Sequence, residues 1–183
     1  MNIAIDGRPL IEEFAGIGRY TSELVSAIHA EKCQHNLYLY GYRGTRLFTQ
    51  ITHDMDEQKL KDVLSPPWGV RVPFQFRKVC RLSTSLVANN RKKPQIDAFI
   101  WTNYLGEFSP EYKSLITIHD MSHHFYPQYV VHGHDADLPK YLRSCATKAD
   151  LILCMSENTK KDVINILGVP AEKVWVTYNG VSK

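Results

Sequence analysis

Two stretches of this 183-residue chain combine residue types and spacing that suit chemistry on an anion. Gly16-Ile17-Gly18-Arg19-Tyr20 follows a polar turn bearing Gly7 and Pro9, and Ile17, Thr21, Leu24, Val25 and Ile28 then recur at helical spacing. A glycine turn feeding a helix N-terminus points backbone N–H groups and the positive end of the helix dipole at one spot, which suits a phosphate. Glycine there also lets a bulky anion approach the main chain closely. A lone Gly-x-Gly equally fits a plain strand-to-helix turn. The second stretch is His119-Asp120, which ends the apolar run of Leu115, Ile116 and Ile118. A strand-end histidine exchanges hydrogen bonds with a hydroxyl or phosphate and titrates near neutral pH, and a neighbouring carboxylate is able to fix its tautomer. The same pair also serves to cap the following loop.

Other polar residues group around these two. Trp101-Thr102-Asn103-Tyr104 runs from a strand into a loop; Asn and Tyr suit hydrogen bonds to sugar or amide groups, and Trp or Tyr suits stacking on a sugar face. Asp6 ends the first apolar run, and its carboxylate is expected to anchor the next loop through backbone N–H groups. His123, His124, His132 and His134, with Asp135 and Asp137, share a Pro-bearing loop without cysteine partners, so the pattern argues for loop histidines rather than a zinc site. Residues 71–93 hold Arg71, Arg77, Lys78, Arg81, Arg91, Lys92 and Lys93 with no acidic residue, and Phe74 and Phe76 are interleaved. A basic, partly aromatic helix of this kind suits an anionic membrane surface or a phosphorylated lipid, with Arg77, Lys78 and Arg81 as the contacts. The alternative is a solvated helix face whose acidic partners lie elsewhere.

These residues need elements to position them. Apolar runs predict strands at 2–6, 37–42, 96–101, 114–119, 150–155 and 173–178; helical spacing predicts helices at 17–31, 56–64, 74–90, 137–148 and 157–167. Residues 43–55 and 120–136 read as irregular. Ser156 is the expected N-cap of the 157–167 helix, Gly168 its C-terminal glycine, and Pro170 blocks continuation. Alternation of strands and helices argues for a Rossmann-like α/β fold: an open, mainly parallel sheet with helices on both faces. Ligands in such sheets bind outside the carboxyl ends of the strands. The loops at that edge are 7–16, 102–107, 119–135 and 156–158, which hold the chemically loaded residues named above.

Composition is that of an ordinary globular domain, 44% hydrophobic and 22% charged, and a net charge of +3 does not argue for nucleic acid. Cys33, Cys80, Cys145 and Cys154 are scattered, without a Cys-x-x-Cys pair, and read as reduced thiols of a cytoplasmic protein. No apolar run has the length of a membrane-spanning helix.

Six motifs in order extend the reading: Ile5-Asp6-Gly7-Arg8-Pro9-Leu10; Gly16-Ile17-Gly18-Arg19-Tyr20; Thr117-Ile118-His119-Asp120-Met121 with Phe125-Tyr126-Pro127; Ala149 to Lys160; Leu167-Gly168-Val169-Pro170-Ala171-Glu172-Lys173-Val174; and Tyr178-Asn179-Gly180-Val181. The series resembles the N-terminal domain of family-4 (group 1) retaining glycosyltransferases of the GT-B fold. The resemblance spans nearly the whole chain and is weakest over residues 43–95.

The resemblance implies an acceptor-binding N-terminal domain over residues 1–178, with 179–183 starting an interdomain linker and the donor-binding C-terminal domain absent; this fragment alone is then expected to be inactive. It implies a nucleotide-sugar as substrate, no cofactor and no metal, and a cell-surface glycan (polysaccharide or lipopolysaccharide) or lipid-linked acceptor. Gly16, Ile17 and Gly18 would approach the donor diphosphate, His119 with Asp120 would act near the reacting centre, and Arg19, Asn103 and Tyr104 would meet the acceptor. Backbone amides and basic groups would replace a cation in stabilising the leaving diphosphate. The location implied is cytoplasmic, with peripheral contact at the inner membrane. A stand-alone α/β binding module without transferase activity is the competing expectation.

Overall fold

The computed structural model describes residues 1–12, 16–32, 34–41, 48–64, 94–104, 106–129 and 137–181. Contacts divide the chain into two compact units, Met1–Thr102 and Asn103–Lys183. The helix expected at 74–90, and with it Arg77, Lys78 and Arg81, lies outside the described residues.

The first unit contains β1 (Asn2–Asp6), α1 (Pro9–Glu12), α2 (Gly16–Ala30), β2 (Asn36–Tyr40), β3 (Phe48–Ile51), α3 (Glu57–Leu64) and β4 (Ala98–Trp101). β1 lies parallel to both β2 and β4, with Ile5 opposite Leu39 and Ile100. Period-two alternation gives this part of the sheet two different faces. Ile5, Leu37, Leu39 and Ile51 cluster with Leu10, Val25, Leu60 and Leu64 from the helices. Each side chain fully buried there contributes roughly 1.5–3 kcal/mol of hydrophobic stabilisation. The alternate positions carry aromatic rings and one carboxylate: Tyr38, Tyr40, Phe48, Phe99, Trp101 and Asp6. Phe99 and Trp101 stack with centroids 3.9 Å apart, and Tyr40 meets Phe99 edge-on at 5.1 Å.

β3 occupies part of the stretch read from sequence as irregular. It pairs antiparallel with β2, placing Phe48 opposite Tyr40 at a centroid distance of 5.2 Å. Cross-strand aromatic packing stabilises a four-residue strand whose own alternation is too short to announce it.

The second unit contains β5 (Lys113–Ile118), α4 (Ser122–Phe125), α5 (Leu138–Lys148), β6 (Leu151–Cys154), α6 (Glu157–Leu167) and β7 (Val174–Val176), with single 3₁₀ turns at Pro127–Tyr129 and Ala171–Lys173. β6 is parallel to β5 and β7. α4 and the first 3₁₀ turn lie within the stretch expected to be a plain loop. Both ends of α6 are satisfied as its sequence predicts. Ser156 Oγ accepts from Thr159 N at 3.1 Å, a cap worth about 1 kcal/mol. Gly168 adopts φ +70° and returns its N–H to Ile164 O at 3.0 Å. Arg143 donates to the terminal carbonyls Leu167 O and Ile166 O at 2.8 and 2.6 Å, so orphan acceptors at that end are filled from α5.

Within the first unit the strands run in the order β3-β2-β1-β4, parallel except for β2 and β3, and within the second in the order β5-β6-β7, all parallel. Each unit thus contributes parallel strands of the kind found in a dinucleotide-binding sheet. The expected Rossmann-like, mainly parallel α/β fold is what the chain adopts.

Candidate functional site

In the first unit the loop after β1 is clamped by an ion pair. Asp6 is fully buried, and its carboxylate accepts from Arg8 N at 3.1 Å, Arg8 Nε at 2.8 Å and Arg8 Nη2 at 3.0 Å. The guanidinium carbon of Arg8 lies 5.1 Å from the centroid of Trp101, a cation–π contact on a wholly buried indole. Thr102 Oγ1 donates to Asp6 O at 3.4 Å, and Gly7 N donates to Tyr40 O at 2.8 Å. The carboxyl ends of β1, β2 and β4 are therefore tied together. Asp6 does anchor its loop through a backbone N–H, as expected. The Arg8 side chain is the larger part of the anchor, and sequence reading passed over it. The visible signal was an Asp-Gly-Arg step at a strand end, where period two returns residue 8 to the side of residue 6. Trp101 offers no open face for stacking on a sugar, because it is 0% exposed.

Beyond the clamp, α2 begins at Gly16, one residue earlier than helical spacing alone indicated. Gly16, Ile17, Gly18 and Arg19 form its first turn, which itself contains no acidic residue to offset the positive helix end. A Cβ added at Gly16 meets nothing within 4 Å. Among the described glycines only Gly41 and Gly168 have positive φ. Among the described residues, neither packing nor a positive φ requires glycine at 16. Gly18 is buried, and Thr21 Oγ1 donates to Ile17 O at 2.9 Å.

In the second unit, Asn103 and Tyr104 are half-buried, and Gly106 N returns to Tyr104 O at 3.1 Å. His119 is half-buried just past the end of β5, and its carbonyl accepts from Thr159 Oγ1 at 3.4 Å. Thr159 belongs to the first turn of α6, so the capping pair Ser156–Thr159 also holds the end of β5. Asp120 Oδ1 accepts from Ser122 N at 2.8 Å, so its carboxylate shapes the turn into α4. Burial works to raise the Asp120 pKa, but hydrogen bonds from Ser122 and the nearby His119 and His123 outweigh it and hold the carboxyl below its ordinary value. Burial lowers the pKa of His123, helped by His124 and opposed by Asp120. Within this unit, His119, Asp120, Ser122, Ser156 and Thr159 are brought to one region of the strand ends.

The described residues hold no group of three or more His, Cys, Asp or Glu side chains able to bind a metal ion. His132, His134 and Asp135 lie outside them. Cys145 and Cys154 are buried free thiols, in keeping with the reduced state expected of them, while Cys33 and Cys80 are outside the described residues. No helix among the described residues is long and apolar enough to cross a membrane.

Mainly parallel strands alternating with helices define a Rossmann-like α/β protein. The model of the family described as Glycosyltransferase Family 4 matches residues 14–183, and the chain belongs to that family. Its activity class is glycosyl transfer from a sugar donor to an acceptor. A search of curated proteins finds no significant match.

Proposed function

We propose that this chain is the acceptor-side domain of a retaining glycosyltransferase that moves a sugar from a nucleotide-sugar donor to a cell-surface glycan or lipid-linked acceptor. The observation that supports the donor side of this reading is a first turn of α2 without acidic residues, with a glycine at 16 that no contact or positive φ among the described residues requires. A bound diphosphate would supply the missing reason, since its oxygens need close approach to backbone N–H groups.

In this reading the amides of Gly16, Ile17 and Gly18 stabilise negative charge as the nucleoside diphosphate leaves, without a metal or other cofactor. His119 contacts the donor sugar near the reacting carbon. Asp120 acts through its turn with Ser122, as a positioning residue that holds the chain at the end of β5. Arg19, Asn103 and Tyr104 meet the acceptor. The basic residues Arg77, Lys78 and Arg81 contact anionic lipid in this reading, and the protein works peripherally at the cytoplasmic side of the inner membrane.

The test is acceptor-dependent release of nucleoside diphosphate from a panel of UDP-, GDP- and ADP-sugars by the protein containing this domain. His119→Ala should lower that rate by about a hundredfold, the scale of one lost transition-state hydrogen bond. Release that is independent of acceptor, or undiminished by the substitution, would contradict the assignment.

A further inference from the structure

The segment after Asp120 displays aromatic rings to solvent. Phe125 is 51% exposed, Tyr126 57% and Tyr129 80%. Among the described residues these are three of the eight large hydrophobic side chains on the surface, and they fall within five consecutive positions. Aromatic side chains usually bury most of their area, so a surface cluster needs a reason.

The backbone holds the cluster in place. His124 N and Phe125 N both reach Met121 O, at 2.9 and 3.4 Å; Tyr126 N donates to Ser122 O at 2.7 Å and Tyr129 N to Tyr126 O at 3.0 Å. Met121, 3% exposed, roots the segment in the core. His124 meets Phe125 edge-on at 5.2 Å. The rings are thus presented on hydrogen-bonded turns, and little order has to be gained when something binds.

The chemistry of the segment selects among occupants. Residues 122–129 read Ser-His-His-Phe-Tyr-Pro-Gln-Tyr, with no Lys, Arg, Asp or Glu and no branched aliphatic side chain. An anionic lipid surface calls for basic residues among the aromatics. A protein hot spot usually pairs its aromatics with arginine. Flat π faces rimmed by hydroxyl, imidazole and amide groups suit an uncharged pyranose, whose C–H-rich face packs on a ring while its hydroxyls exchange hydrogen bonds.

We propose that Phe125, Tyr126 and Tyr129 form a glycan-binding platform and, resting on the glycosyl-transfer reading above, that it holds the acceptor glycan beside the carboxyl end of β5. Saturation-transfer NMR of the 183-residue chain with methyl α-D-glucopyranoside, methyl α-D-mannopyranoside and methyl β-D-galactopyranoside tests it. At least one glycoside should bind, and Tyr126→Ala/Tyr129→Ala should weaken that binding about tenfold or more, as expected for two lost ring contacts. The substitutions should leave the thermal melt unchanged, because both side chains are exposed. Failure of all three glycosides to bind, or equal affinity in the variant, would overturn the platform. So would binding that moves instead to vesicles of equal parts phosphatidylcholine and phosphatidylglycerol and is lost in the variant. Glycoside binding by a protein that transfers no sugar would remove the transfer reading and leave the platform. Sugar transfer with an acceptor KM unmoved by the variant would remove the platform and leave the transfer reading.

Discussion

The guanidinium of Arg8 lies 5.1 Å over the indole of Trp101 while its Nε and Nη2 clasp the buried carboxylate of Asp6. Removing Arg8 would leave a carboxylate with 0% exposure facing an aromatic wall. Arg8→Ala should cost about 3 kcal/mol, the bottom of the range for a broken buried pair, because the Arg8 side chain keeps 25% exposure. Arg8→Lys should recover only part of that, since an ammonium cannot reproduce the fork. Urea unfolding of the two variants beside the wild type checks both figures.

Gly16→Ala separates the needs of the fold from those of a ligand. Glycine within a helix is less stable than alanine by roughly 0.5–1 kcal/mol, and the added methyl meets nothing within 4 Å. The variant should be as stable as the wild type or slightly more so by thermal melt. If a diphosphate approaches this turn, the same variant should raise the donor KM in a transfer assay. Unaltered donor kinetics would remove Gly16 from the donor site.

Much of this arrangement was legible in the residues. The 157–167 helix, with Ser156 and Gly168 at its ends, emerges with the expected limits because capping residues and apolar spacing agree. The parallel strands were visible as apolar runs. β3 was not, since Phe48-Thr49-Gln50-Ile51 is short and depends on a ring contact with Tyr40, which no local pattern contains. The role of Arg8 was hidden for a similar reason. Its partners are Asp6, two residues back, and Trp101, supplied by a strand far along the chain. Asp120 carried two readings in sequence, and its bond to Ser122 N shows the loop-shaping one in place.

Asp150 ties the start of β6 to β5. Its carboxylate accepts from Ser114 N and pairs with Lys113 Nζ, both at 2.9 Å. The hydrogen bond from Ser114, then Lys113, hold its pKa below the ordinary 3.8, against a smaller opposing effect of burial. A depressed carboxylate stabilises the fold above its unfolded pKa, and the contribution disappears as pH falls through the folded value. Asp150→Asn should therefore be less stable than the wild type at neutral pH, with the gap closing below pH 3.8. Denaturation midpoints measured from pH 7 down to pH 3 check the sign.

Cys154 should be chemically silent in the folded chain. Burial pushes its thiol up to about 12 despite the opposing charge of Lys160. At pH 8 about one thiol in ten thousand would be ionised, and the side chain is wholly enclosed. Iodoacetamide labelling followed by peptide mass spectrometry should find Cys154 unmodified in native protein and fully modified in urea. Rapid native labelling would show that β6 opens locally.

The most direct measurement of the central claim is the anomeric configuration of the product formed from an α-linked nucleotide sugar and a methyl glycoside, read from the anomeric proton coupling by NMR. The protein containing this domain should yield an α-linked disaccharide, with release of one nucleoside diphosphate for each bond formed. A β-linked product, or no disaccharide from any nucleotide-sugar donor, would contradict retaining glycosyl transfer.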